Sequence, residues 1–258
     1  MMWKTLTFLT GLWLAVAPPA VAETPNFIAL ATRPGVEQRF ALVEPPKPLA
    51  NVILLAGGNG LIEPKPGKLN INFLVRSREA FAAHGLRLAI VDAPSDHRSQ
   101  GLWHFRDSDG HATDIAAVIA WLKRRQDAPV WLVGTSRGSI SAAHLAAKLP
   151  AGAIAGIVLT SSVTVATRND SDTVLTAALE KITVPVLIVN HRDDKCFAAP
   201  PNDADAIARR LTASPRVEKM VFTGGTPPKS GECEPLAPHG YFGIEDKVVS
   251  DISAWILK

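Results

Sequence analysis

Residues 130–149 read VWLVGTSRGSISAAHLAAKL. A run of bulky apolar residues stops at a corner of small and polar ones, Gly134-Thr135-Ser136-Arg137-Gly138, and a helical pattern begins at once. A chain that passes from a buried strand into a buried helix across five residues has few ways to pack: the helix must fold back onto the sheet that the strand belongs to. The two glycines sit where side chains would collide with the neighbouring strand and helix. Ser136 is thereby pushed outward at the carboxyl end of the sheet, beside the first amides of the helix, which favour negative charge.

The rest of the chain repeats this alternation. Strand-like runs occupy residues 51–56, 86–91, 130–133, 154–159, 186–190 and 217–222, with a weaker one at 39–43. Helix-period segments cover 70–84, 111–125, 136–148, 203–212 and 244–257, and a short one lies around 173–181. This order predicts a single α/β domain with a mostly parallel central sheet and helices on both faces. Since 47% of the 258 residues are hydrophobic, one sizeable core is available. No stretch rich in Pro, Gly or Ser divides it. The net charge of +3 comes from scattered residues, with no basic stripe of the kind that binds nucleic acid.

The first residues read differently. Lys4, the apolar stretch 6–17, Pro18-Pro19 and Ala20-Val21-Ala22 have the layout of a secretory signal peptide over residues 1–22, leaving a domain over 23–258. The apolar run falls short of a bilayer span, so a periplasmic or secreted protein without stable membrane insertion is expected. In an oxidising compartment Cys196 and Cys233 are expected to pair, a closure worth roughly 4 kcal/mol at most. Two cysteines without histidines in zinc spacing make no zinc site, so no metal is called for, and no organic cofactor is expected either.

A G-x-S-x-G corner between strand and helix is the arrangement called a nucleophile elbow. A serine hydroxyl needs a base to take its proton, and a histidine base needs a carboxylate to orient it. On a sheet of this kind the chain order should be serine, acid, histidine. His191-Arg192-Asp193-Asp194-Lys195-Cys196 follows the run 186–190, and Pro238-His239-Gly240 follows the run 217–222. His239 is the one histidine beyond that last run. His84, His97, His104, His111, His144 and His191 are expected to be cap, surface or loop residues.

With these residues in this order the chain resembles the α/β-hydrolase superfamily, over nearly all of residues 23–258 as an order of elements and in four short stretches as motifs. The resemblance implies Ser136 as nucleophile, His239 as base and Asp194 as acid, since Asn190-His191-Arg192-Asp193-Asp194 fits the family's acid loop without a gap; Asp193 is the alternative. Leu55-Ala56-Gly57-Gly58-Asn59-Gly60 is similar to the family's H-G-G-type oxyanion loop, with Ala56 where the histidine would stand. The implied donors are the backbone N–H groups of Gly58 and Arg137, with Asn59 the alternative. A Cys196–Cys233 bridge would tie the acid loop to the histidine loop.

Residues 159–184 leave no room for a large cap. The loop 92–110 falls at the carboxyl end of the sheet, where Trp103 and Phe105 are candidates for a pocket wall and Arg106 and Arg137 for attracting an anionic group. What the resemblance implies is an exported serine hydrolase, foremost a carboxylic-ester hydrolase, that takes small ester or related acyl substrates through an acyl-serine intermediate. An acyltransferase or peptidase would use the same parts. Outside the enzymes, the alternative is a binding protein on the same fold.

Overall fold

The structure is a computed structural model that describes residues 26–168 and 171–258. The signal-peptide reading of residues 1–22 lies outside the described residues. Strands β1 (Asn26–Arg33) and β2 (Val36–Val43) form an antiparallel hairpin. There follow β3 (Ala50–Leu55), the short helices α1 (Phe73–Arg76) and α2 (Arg78–Ala83), β4 (Leu86–Val91), α3 (Asp109–Arg125) and β5 (Val130–Thr135). The chain ends with α4 (Arg137–Lys148), β6 (Gly156–Thr160), β7 (Val186–His191), α5 (Ala204–Arg210), β8 (Val217–Phe222) and α6 (Glu245–Ile256).

All eight strands join one sheet in the order β1-β2-β4-β3-β5-β6-β7-β8. The pairs from β4 to β8 are parallel, and the hairpin adds two antiparallel strands at one edge. Successive side chains on a strand point to opposite faces, and the two cores follow that rule. Ile53, Leu132, Ile157 and Ile188 pack with Ile115 and Leu122 of α3, Leu145 of α4 and Ile207 of α5. Val52, Val133, Val158 and Leu187 pack with Phe73 of α1, Phe81 of α2 and Ile252 and Trp255 of α6. Strands covered on both sides carry no polar alternation, which explains the continuous apolar runs.

Three local expectations are corrected. Strand β1 escapes the sequence reading because it is an edge strand, half-exposed on both faces, so its residues NFIALATR show no clean period. The helix expected over 70–84 is two helices broken at Ser77, which has φ −92° and ψ 7°; Phe73 and Phe81 share one apolar face, so the spacing of apolar residues does not betray the break. The helical piece around 173–181 is two separate 3-10 turns. The first is closed by Thr173 and Thr176, whose side chains satisfy the amides that a longer helix would use.

His111, in the first turn of α3, is fully buried against the Phe105 ring, and neither of its ring nitrogens has a hydrogen-bond partner. Burial, with the nearby charge of Arg106 adding to it, pushes its pKa down to about 3. In the unfolded chain the ring titrates near its ordinary value of about 6.5. Below that pH the unfolded state binds a proton that the folded state refuses, so His111 lowers stability progressively as pH falls from about 6.5 towards 3. Urea unfolding at pH 7 and pH 4.5 should show a His111→Leu variant losing less stability between the two pH values than the parent, by on the order of 2 kcal/mol.

Candidate active site

Strand β5 delivers the chain to Ser136, which adopts φ 51° and ψ −126°. A positive φ is costly for a residue with a side chain and persists only where the surroundings enforce it. Here the Ser136 N–H donates to the Thr160 carbonyl at 2.9 Å, and the Ser136 carbonyl accepts from the Ser139 N–H at 2.9 Å. The Ser139 hydroxyl donates to the same carbonyl at 2.5 Å. Helix α4 then runs back so close to the sheet that a Cβ added at Gly134 would lie 2.3 Å from the Gly138 oxygen. One added at Gly138 would lie 1.9 Å from the Leu55 oxygen.

His239 sits in the turn Pro238–Gly240, ahead of α6. Its Nε2 is 2.9 Å from Ser136 Oγ and its Nδ1 is 2.8 Å from Asp194 Oδ2. Both His239 and Asp194 are buried. Asp194 Oδ1 accepts from the Cys196 N–H at 2.9 Å, and its own N–H donates to the His191 carbonyl. Asp193 is exposed and faces Arg192, so of the two aspartates it is Asp194 that the fold brings to the histidine. His144 bonds Thr176 and His191 bonds the Gly224 carbonyl, both away from Ser136.

Residues with no motif to announce them fasten the histidine turn. Ser161 Oγ donates to the His239 carbonyl at 2.8 Å. The Tyr241 hydroxyl donates to the Val189 carbonyl at 2.8 Å and accepts from Ser161. Burial pushes the Tyr241 phenol upward, which keeps it protonated as a donor. Arg76 Nη2 donates to the Gly240 carbonyl at 2.6 Å and pairs with Glu245 at 2.9 Å. Cys196 and Cys233 form a disulfide, which joins the acid loop to the segment leading into His239.

The glycine loop after β3 lies directly alongside the serine. A Cβ added at Gly57 would stand 2.9 Å from Ser136 Cβ and 3.1 Å from the Thr135 oxygen. Gly58, with φ +60°, and Asn59 follow it along the wall of a cleft of about 270 Å³ that opens onto Ser136 and His239. Arg137 is the first residue of α4. Asn70, Ile71, Asn72 and Phe73 line another part of the cleft, and Glu234 lies at its rim.

Other expectations for the loop 92–110 are corrected. Phe105 is buried with Ala93 and Leu102 and stacks on His97 rather than lining the cleft. Trp103 lies under the Arg137 guanidinium, 3.9 Å from its ring centre. Arg106 is 2% exposed and holds protein groups, so it is closed to a substrate anion. Between β6 and β7 the described residues hold only the two 3-10 turns, which agrees with the expected lack of a cap.

Among the described residues no group of His, Cys, Asp and Glu is placed to hold a metal ion, and no helix is long and apolar enough to cross a membrane.

Two changes test this architecture. Gly138→Ala should leave the chain insoluble or lower its stability by more than about 3 kcal/mol, because the methyl group meets a backbone carbonyl that cannot step aside; thermal unfolding reads it. Opening the 37-residue disulfide loop with Cys196→Ser and Cys233→Ser together should lower stability by about 2–4 kcal/mol. Amide exchange should then rise first around Asp194 and in residues 229–237.

No protein-family model and no curated protein matches the chain. Its shape does match solved structures. An esterase of Pyrococcus furiosus superposes with a TM-score of 0.65 at 13% identity, covering 90% of each chain. A soluble variant of monoglyceride lipase from Saccharomyces cerevisiae gives 0.65 at 13% identity, over 94% of this chain and 98% of that one. Dienelactone hydrolase from Anabaena variabilis gives 0.62 at 16% identity, over 91% and 98%. At these identities the shared property is the fold, and the chain has the α/β-hydrolase fold.

Proposed function

We propose that the protein is a serine hydrolase of carboxylic esters or closely related small acyl compounds. The observation that carries this reading is the unbroken series from Ser136 Oγ to His239 Nε2, 2.9 Å, and from His239 Nδ1 to Asp194 Oδ2, 2.8 Å, at the foot of an open cleft. A carboxylate on Nδ1 fixes the tautomer that leaves the Nε2 lone pair facing the serine hydroxyl.

In this reading Ser136 Oγ attacks the acyl carbonyl while His239 takes its proton. The buried Asp194 stabilises the imidazolium so formed. The alcohol leaves with that proton, and a water activated by His239 then releases the acid from the acyl-serine. Negative charge on the carbonyl oxygen is met by backbone N–H groups of Gly58 and Arg137 at the start of α4, where the helix dipole adds to them.

The cleft volume of about 270 Å³ favours small acyl groups. The disulfide supports an exported protein, periplasmic or secreted, as does the signal-like segment 1–22. Nucleic acid is not among the expected partners.

Hydrolysis of p-nitrophenyl esters from acetate to long acyl chains, with a fluorophosphonate label in parallel, tests the reading. The protein should turn over the short esters and take the label. Ser136→Ala should lose the label and at least about 1,000-fold in kcat. Folded protein that neither labels nor hydrolyses any ester of the series would replace this reading with that of a binding protein.

A further inference from the structure

We propose that Arg106 is a positioning residue for the glycine loop, and that its buried charge strengthens the loop's hold on a developing oxyanion. The electrostatic half of this inference rests on the serine-hydrolase reading; the positioning half does not.

Arg106 comes from the long loop between β4 and α3, and only 2% of it is exposed. Its Nη2 donates to the carbonyls of Ala56 and Gly58, both at 3.1 Å, and its Nη1 donates to Ser141 Oγ of α4 at 2.9 Å. One guanidinium thus spans the glycine loop and the helix that begins beside the serine. Its fork of donors is suited to holding two carbonyls at once. Gly60 leaves room for Leu102 and for Arg106, since a Cβ there would lie 2.5 Å from Leu102 Cδ1 and 3.2 Å from Arg106 Nη2.

Each gripped carbonyl belongs to a planar trans peptide, whose N–H points the opposite way. The two N–H groups are those of Gly57 and Asn59, and the peptide between the two gripped ones carries the Gly58 N–H, the proposed oxyanion donor; Gly57, Gly58 and Asn59 all line the cleft next to Ser136. Fixing the planes of these two peptides holds the Gly57–Gly58 peptide between them and so the direction of the Gly58 N–H, and drawing charge through the Gly58 carbonyl makes the N–H of Asn59, the alternative donor, a better one. The grip would therefore act on the loop that faces the reacting carbonyl, while the side chain itself touches no substrate.

The charge balance points the same way. Among the described residues no carboxylate forms an ion pair with Arg106. Its charged neighbour is the Arg137 guanidinium, and Arg137 stands at the positive end of the α4 dipole. A buried cation without a counter-ion is unfavourable in the resting protein. An oxyanion formed at the serine would supply the missing negative charge, so the same arrangement that is costly at rest favours the transition state.

The experiment compares the parent with Arg106→Met, Arg106→Lys and Ser141→Ala, by p-nitrophenyl butyrate kinetics, thermal unfolding and amide exchange of residues 56–60. Arg106→Met should lower kcat by about 100-fold and leave KM within about threefold, while exchange of residues 57–60 accelerates. Arg106→Lys, with the charge restored but the fork lost, should recover about tenfold of that kcat. A loss of packing alone would move unfolding without this split.

An Arg106→Met protein within about threefold of the parent kcat, or an Arg106→Lys no faster than Arg106→Met, overturns the electrostatic role. If Arg106→Met does not fold, Ser141→Ala decides, since it frees one end of the guanidinium: a fall in kcat of about fivefold at constant KM supports the inference and an unchanged kcat overturns it. Should the parent itself neither hydrolyse esters nor take a fluorophosphonate, the serine-hydrolase reading has failed. Loop exchange then judges the positioning alone, and unchanged exchange in Arg106→Met or, where that variant is unfolded, in Ser141→Ala rejects it.

Discussion

The contact between Gly138 and the end of β3 sets the geometry of everything around Ser136. The α4 backbone approaches the Leu55 carbonyl so closely that no side chain fits, and this approach is what holds Ser136 at a positive φ. Free chain would relax from that conformation at a gain of order 1–3 kcal/mol. Packing prevents it, because β3 and β5 are neighbours in the middle of the sheet with apolar layers on both faces. The same approach places the glycine loop that follows β3 against the serine. A single close crossing thus positions the hydroxyl and the loop beside it.

The histidine and acid reach the serine by a different route. Asp194 and His239 follow β7 and β8 on loops, which a sheet positions less tightly than it does a strand end. Here the loops are secured by polar contacts. Ser161 and Tyr241 hold the histidine turn to the ends of β6 and β7, Arg76 holds it to α1, and the disulfide joins it to the acid loop. Stability and geometry are therefore separable at this end of the sheet. Loss of the disulfide acts first on the loops, whereas a side chain at Gly138 acts on the fold itself.

Much of this could be read from the chain because buried parallel strands and a sharp strand-to-helix corner have few alternatives. The strands from β3 onward, the elbow at Ser136, the acid loop and the single late histidine are local patterns with fixed order. The hairpin partner β1 is not legible there, since an edge strand half-exposed on both sides carries no periodic signal. The break at Ser77 leaves no mark in the sequence because two short helices with a common buried face keep the spacing of one. Ser161, Tyr241 and Arg76 belong to another class: each acts through contacts with residues far along the chain, and nothing in their own neighbourhood marks them. The sequence offers Arg106 as a site for an anion, because a side chain's burial cannot be inferred from a polar loop.

The treatment of buried charge elsewhere in the molecule gives the Arg106 site its meaning. Asp92 is fully buried and is met by Arg39, Arg98 and the N–H groups of Ile62 and Ala93. Asp114 is met by Arg33 and Thr32, and Arg87 by Glu44 and Asn51. Each buried charge is compensated in the way low-dielectric surroundings require. Arg106 has carbonyls and a hydroxyl but no anion, and its guanidinium is shifted down to about 9, first by burial and then by Arg137. A fold that pairs Asp92, Asp114 and Arg87 leaves this cation unpaired beside the glycine loop next to Ser136, where the proposed acyl transfer would generate a negative charge for the lifetime of one intermediate.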